Sequence, residues 1–366
     1  MKIIHCADLH LDSKMTTNLS TEKARERKAE ILDTFGRMVR YAEDNSVRAI
    51  LISGDLFDSR RISVNARKTV YETIINHPDI LFFYLAGNHE EDSFLSSLSE
   101  IPDNLKTFGT DWTTYEGHSV TVSGAVLTAA NAGRLYASLT EDPQKFNIVM
   151  LHGQISEYGN KDRAEVIDLG RLKDHNIDYL ALGHVHKYAE GSLPPKGIWC
   201  YPGCLEGRGF DECGEHGFVV LDIDDAARTC RREFVPAAKR KMYAVETDVT
   251  GCTSTVQMID RISRRLEGPG APSQDDLVKI ILTGSVDFSC EKNPDQIRAA
   301  FASDYYFVKV EDSTKLAVDY HEFEKDASLK GEFVRTVHND RNLSEQEKAE
   351  IIRCGIQALS GEEIEA

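Results

Sequence analysis

Five short apolar runs in the first 190 residues each end on a side chain that can bind a metal or move a proton, and no other feature constrains the chain as much. Ile3–Cys6, Ala49–Ser53, Leu81–Ala86, Ile148–Leu151 and Tyr179–Leu182 read as buried strands bounded by Gly, Asp or His. Between the first two, Thr21–Asp44 repeats Ile31, Leu32, Phe35, Met38, Val39 and Ala42 at helical spacing with charges on the other face, and Ser20 can cap its start. That is a βαβ beginning. In such sheets the loops at the carboxyl ends of the strands converge on one crevice, so residues distant in sequence are expected to meet there.

Later strands (Val120–Val122, Val126–Ala129, Ile198–Tyr201, Phe218–Ile223, Glu233–Val235) follow one another without long helices, which predicts that antiparallel strands complete a second sheet. Pro236–Lys241 reads as a linker, so residues 1–238 are expected to form one domain. Beyond it, strands and helices alternate over 242–312 as a small α+β domain, with a Gly/Pro break at Gly268–Pro272. Residues 313–366 read as a helical tail, where Ser344 and Glu347 make a capping-box pattern before an apolar stripe of Ala349, Ile352, Ile356 and Leu359. With 366 residues, 41% of them hydrophobic, the chain can bury a large core and a smaller one, which excludes a peptide hormone or a disordered tail.

Each apolar run leads into a polar segment: Cys6-Ala-Asp8-Leu-His10, Ser53-Gly-Asp55-Leu-Phe-Asp58, Ala86-Gly-Asn88-His89-Glu90, Met150-Leu-His152-Gly and Leu182-Gly-His184-Val-His186. Asp8, His10, Asp55, Asn88, His152, His184 and His186 then form a set of hard oxygen and imidazole donors with no thiolate, the chemistry of a pair of divalent first-row ions. Asp-x-His and His-x-His are expected to put two donors on one side of an extended segment, and the adjacent glycines to permit close approaches. Any one of these segments alone would be an ordinary turn; five in order, each after a strand, are not.

Other candidates take ordinary readings. The spacing of Cys200, Cys204, Cys213 and His216 is not that of a paired-knuckle zinc site. Cys204 reads as a packing or turn position, His5 as a hydrogen-bonded core group, and His216 as a solvated loop histidine. His77, His118, His175, His321 and His338 fall in settings that suggest surface. Eight scattered cysteines and no charged-then-apolar leader predict a cytoplasmic protein with reduced thiols, and no apolar run approaches the roughly 20 residues of a membrane span.

The order D-x-H, G-D-x-x-D, G-N-H-[D/E], H-G, G-H-x-H resembles that of the calcineurin-like metallophosphoesterases. Within them the chain is similar to the SbcD-type DNA-repair nuclease subunits, through Tyr201–Glu206 and Gly217–Asp222. The opening His5–Ser13 and the late Leu329–Arg335 favour the YhaO-like branch. The resemblance implies a two-sheet β-sandwich flanked by helices, with the small domain capping the active site. It implies two divalent ions, usually manganese: one held by Asp8, His10, Asp55 and His186, the other by Asp55, Asn88, His152 and His184, with Asp55 bridging. His89 would be a catalytic residue that orients phosphate and protonates the leaving oxygen. Glu90 stands where many relatives have Asp, and Cys204 where Ser is common.

A formal charge of −17, from 43 basic and 60 acidic side chains, excludes a protein that coats nucleic acid by bulk attraction. A DNA nuclease would then need local basic groups: Arg60, Arg61, Arg67 and Lys68 are the first candidates, although a solvated helix face explains them equally. Arg231-Arg232, Lys239–Lys241 and Arg261/Arg264/Arg265 are further clusters. The expected activity is two-metal hydrolysis of DNA as an exonuclease, with single-strand cutting also open. The alternatives are a small-nucleotide or phosphoprotein phosphoesterase, or a subunit that mainly binds an SbcC-like coiled-coil ATPase through the 345–359 helix. Packing of that helix against its own chain is the simpler expectation. A homodimer is left open.

Overall fold

The computed structural model describes residues 1–15, 19–58, 62–87, 94–156, 166–287, 290–318 and 320–360, and the chain divides into two compact units, Met1–Lys241 and Met242–Ala366. In the first unit the strands are β1 (Lys2–Cys6), β2 (Val47–Ser53), β3 (Leu81–Leu85), β4 (Leu105–Thr107), β5 (Thr113–Glu116), β6 (Val120–Gly124), β7 (Phe146–His152), the two-residue pair β8 (Gln154–Ile155) and β9 (Val166–Ile167), β10 (Tyr179–Gly183), β11 (Ala189–Leu193), β12 (Gly197–Tyr201), β13 (Gly217–Asp224) and β14 (Thr229–Pro236). The helices are α1 (Thr21–Asp44), α2 (Val64–Asn76), α3 (Ala132–Ser138) and α4 (Leu169–Leu172).

Two six-stranded sheets result, in the orders β14-β13-β1-β2-β3-β4 and β11-β12-β10-β7-β6-β5. Alternation along the strands sorts the core into three layers. Ile4, Ile50 and Ile52 face α1 and α2 together with Phe35, Val39 and Val70. Ile3, Leu51, Ile148 and Ala181 fill the space between the sheets, while Val149, Leu151, Leu180 and Leu182 pack with Leu135 and Leu172 of the outer helices. The expected sandwich flanked by helices is present.

The second sheet differs from the expectation in detail. Its centre, β12-β10-β7-β6, is parallel, with antiparallel strands only at its two edges, and the antiparallel β13/β14 pair joins the first sheet beside β1. Val126–Ala129 is not a strand. The Asn131 side chain takes up backbone groups of Thr110, Val126 and Thr128 there, which leaves the segment a held loop.

Pro236–Lys241 lies at the division between the units, yet it is anchored rather than loose. Arg240 is buried, with its guanidinium on Glu30 of α1 at 2.8 Å, and the Lys239 ammonium reaches the same carboxylate at 2.9 Å. Arg27, fully buried one turn away, pairs with Glu30 and with Glu206 at 3.0 Å. Arg27 and Arg240 are thereby committed to buried ion pairs with Glu30 and Glu206.

The second unit contains β15 (Met242–Asp248), α5 (Thr255–Arg265), β16 (Leu277–Thr283), β17 (Ser285–Asp287), α6 (Pro294–Phe301), β18 (Phe307–Asp312), β19 (Lys315–Ala317), α7 (Tyr320–Phe323), α8 (Leu329–His338) and α9 (Glu345–Ser360). β15, β16 and β18 form a parallel sheet covered by α5 and α6. The Ser344/Glu347 capping box forms. Ile352 and Ile356 of the α9 stripe pack on Phe323, Val334 and Val337, and Ala349 is buried, while Leu359 is exposed. Among the described residues no helix is long and apolar enough to cross a membrane.

Candidate metal centre

The site forms where the carboxyl ends of β1, β2, β7 and β10 meet. Beyond β1 and β2 the two chains stay locked together, with Asp8 N on Gly54 O at 3.1 Å and His10 N on Asp55 O at 2.9 Å. The expected strand-like Asp-x-His geometry is not what forms. Asp8, His10 and Asp55 adopt φ of 52°, 45° and 48°, and His184 a φ of 104°, left-handed backbone that costs such residues about 1–3 kcal/mol each. Coiling these segments, rather than extending them, turns their side chains onto a common centre.

Asp8, His10 and His186 bring donor atoms within 4.8 Å of one another, and so do Asp8, Asp55 and His152. Asp55 Oδ2 lies between the two groups, 3.8 Å from His10 Nε2 and 3.6 Å from His152 Nε2. The ring of His184 stands edge-on to that of His152, with centroids 5.4 Å apart, and its backbone N–H donates to both Asp8 oxygens at 2.9 and 3.0 Å. Six of the seven proposed donors are thus gathered; Asn88 lies outside the described residues, as do His89, Arg60 and Arg61. Arg67 and Lys68 sit on α2, where Lys68 is exposed and 3.6 Å from Glu72.

Hydrogen bonding behind the rings fixes their tautomers. His152 Nδ1 donates to Ser53 O at 2.9 Å, leaving a buried Nε2 lone pair with no hydrogen bond; Asp55 Oδ1 is likewise buried and unsatisfied. His186 Nδ1 carries a hydrogen toward Glu212 Oε1 at 2.6 Å, and His10 Nδ1 stands 3.1 Å from Asp58 Oδ1. The two Nε2 atoms face one another at 3.3 Å. Buried acceptors left without a donor cost roughly 1–3 kcal/mol apiece, and a cation removes that cost. Burial pushes the Asp8 carboxyl above its ordinary range, with the neighbouring histidines opposing it. Oxygen and imidazole donors without thiolate, two acidic groups and orphaned lone pairs fit a pair of divalent cations.

Glycine provides the clearance. Gly54, at φ 93°, has His152 Nδ1 2.0 Å from where a Cβ would stand, and Gly183 has Ser53 O at 1.7 Å. Residues 1–188 match the model of the calcineurin-like phosphoesterase family. The chain belongs to this family. This phosphoesterase is 26% identical over 301 residues to the metallophosphoesterase YhaO of Bacillus subtilis, covering 78% of this chain and 72% of that protein. It is 27% identical over 300 residues to the DNA double-strand break repair protein Mre11 of Methanocaldococcus jannaschii, covering 73% and 78%. A 26% match to the Mre11 of Methanosarcina acetivorans covers 64% of this chain but only 39% of that protein.

Several groups at the site of the phosphoesterase escaped the sequence reading. Glu212 and Arg208 stand beside the His10/His186 pair, together with Asp58, which the sequence segment contained without a role; the available signal for the first two was one more loop, Gly207–Glu212, following β12. His216 is a correction: it is buried, its Nε2 donating to Glu212 O at 2.7 Å and its Nδ1 3.2 Å from Cys204 Sγ. A loop histidine without a partner motif reads as solvated, whereas the fold closes over it. Cys204 is a buried packing position whose thiol is held protonated by burial. Cys213 instead bonds Phe210 O, and among the described residues no cluster joins these cysteines and His216 in a metal site. His5 is a core group as expected, bonded to Tyr179 Oη and Ser53 Oγ and lowered by burial to about 3.

Proposed function

We propose that the chain is a two-metal phosphodiesterase that hydrolyses DNA, trimming ends as an exonuclease. The observation that supports this reading best is the convergence of five oxygen and imidazole donors in two overlapping groups, with the His184 ring beside them, at the carboxyl edge of two sheets. The DNA-repair names of several relatives favour DNA as substrate. Asp8, His10, Asp55 and His186 would hold one ion, and Asp55, Asn88, His152 and His184 the other, with manganese the expected metal. Bound there, the ions would supply a nucleophilic water and charge stabilisation at phosphorus.

The chain's own residues do the rest. Ser53 and Glu212 hold the His152 and His186 imidazoles by hydrogen bonds to Nδ1, and Asp58 stands 3.1 Å from His10 Nδ1, so the rings are positioned before any ion binds. His89 is assigned the proton delivery to the leaving oxygen, a task suited to an imidazole whose ordinary pKa is about 6.5. Arg60 and Arg61, with Arg67 and Lys68, are assigned to DNA phosphates. Eight cysteines, none of them in a disulfide, fit the reducing, cytoplasmic setting assigned here. An SbcC-like partner would have to use a surface other than the α9 stripe, since Ile352 and Ile356 already cover the chain's own core.

End-labelled duplex DNA, single strands and a small aryl phosphodiester, digested with Mn2+ by the wild type and His89→Ala, test the proposal. Preferred, Mn2+-dependent shortening of DNA that His89→Ala reduces at least roughly 100-fold is expected. Turnover of the aryl ester alone would move the assignment to a small substrate.

A further inference from the structure

Beyond the ligands, one guanidinium links the supports of two rings. Glu212 Oε1 accepts from His186 Nδ1 at 2.6 Å and from Arg208 Nη2 at 2.9 Å. Asp58 Oδ1, facing His10 Nδ1 at 3.1 Å, is 3.2 Å from Arg208 Nη1. The Arg208 fork therefore spans both carboxylates, and the path His10, Asp58, Arg208, Glu212, His186 closes on itself where the two Nε2 atoms meet at 3.3 Å.

We propose that Arg208 is a positioning residue that locks Asp58 and Glu212 into one clamp and thereby sets the affinity of the ion held by Asp8, His10 and His186. The inference rests on the two-metal reading above. Arg208 and Glu212 lie outside the stretch that matches the family model, which ends at 188, whereas Asp58 and the ligands lie within it.

Three observations support a clamp over a surface ion pair. Glu212 is held from every side: Oε2 accepts the Arg208 backbone N–H at 2.7 Å, its carbonyl accepts His216 Nε2 at 2.7 Å, and its own N–H donates to Gly209 O at 2.9 Å. Asp58 is fixed as well, its N–H on Asp12 Oδ1 at 3.1 Å. Arg208 itself is largely buried, so its contacts act with little screening. A lysine could not replace it, because a single ammonium cannot span two carboxylates as a planar fork does. A cleft of about 320 Å³ opens beside the clamp, bordered by Ser13, Lys14, Asp58, Arg208, Asp211 and Glu212. Direct contact between Arg208 and substrate in that cleft is the competing role.

The test is calorimetric titration of the metal-free full chain with Mn2+, alongside the thermal midpoint without metal and the KM for an aryl phosphodiester. Wild type is expected to bind two ions. Arg208→Gln should keep one at wild-type affinity and weaken the other at least about tenfold, as loss of an outer ligand support does. Arg208→Lys should recover only part of that loss, and Glu212→Gln and Asp58→Asn should weaken the same ion. Two ions bound by Arg208→Gln at wild-type affinity overturn the clamp and leave the two-metal reading standing; a raised KM in that case reassigns Arg208 to substrate. Failure of the wild type to bind two ions overturns the two-metal reading and the clamp with it. Should Arg208→Gln not fold, Glu212→Gln is read by the same criterion.

Discussion

Gly183, at the end of β10, lies against Ser53 of β2 in the other sheet. A methyl group there would stand 1.7 Å from Ser53 O and 2.9 Å from His152 Nδ1, and the obstacle is backbone, not a side chain that can swing aside. Gly183→Ala is therefore expected to destabilise the first unit by about 1–3 kcal/mol in urea unfolding, and to weaken Mn2+ binding because the Ser53–His152 hydrogen bond is displaced. Asp55→Asn leaves the shape of the site but removes a charge between the two donor groups. It should lower both Mn2+ affinity and phosphodiester turnover by more than about 100-fold, with the far-UV circular dichroism unchanged. The identity of these donors was legible because each directly follows an apolar strand. Their left-handed backbone was not, because φ at Asp8 and His10 is dictated by hydrogen bonds to Gly54 and Asp55 from a segment over forty residues away.

Among the elements, α1 was readable from end to end: Ser20 accepts from Lys23 N, and Ile31, Phe35, Met38, Val39 and Ala42 are buried on one face. The same helix conceals what the sequence could not show. Its Glu30 is held by Arg27, Lys239 and Arg240, two of them some 210 residues away. Glu30→Ala leaves the buried Arg27 and Arg240 short of a carboxylate and should cost about 3–5 kcal/mol by urea titration at neutral pH. Burial alone would raise the Glu30 carboxyl, but its hydrogen bonds to Arg240, Lys239 and Arg27 win and lower it to about 2. The folded pKa is below the unfolded value, so this contribution is complete above the ordinary value of 4.5 and is lost as pH falls through that value toward 2. Midpoints measured from pH 6 to pH 2 should fall more steeply for wild type than for Glu30→Ala.

At the scale of the whole molecule, the −17 charge and the metal centre work in opposite directions. Two bound ions would add about +4 at the point of chemistry, so local attraction for phosphate does not need a basic chain. The division into two units adds a spatial prediction. Mn2+ at a hundred times its dissociation constant should stabilise the first unit by about 2.7 kcal/mol. Hydrogen exchange would show the gain in β1, β2, β7 and β10, with β15, β16 and β18 unchanged and chelation reversing the effect. Uniform protection of both units would contradict a centre confined to the first.

The sequence by itself determined the five strands that lead into the site, their order of polar endings, the donor types and the main helices, because periodicity and strand-end polarity are local properties. Tertiary structure alone decided which carboxylate orients which imidazole, that His216 is buried, and that Pro236–Lys241 is pinned to α1. The ring supports and the pinned segment depend on pairs separated by 26 to more than 200 residues, such as His186 with Glu212 and Glu30 with Arg240, and their meeting is set by the tertiary fold rather than by any pattern within a segment.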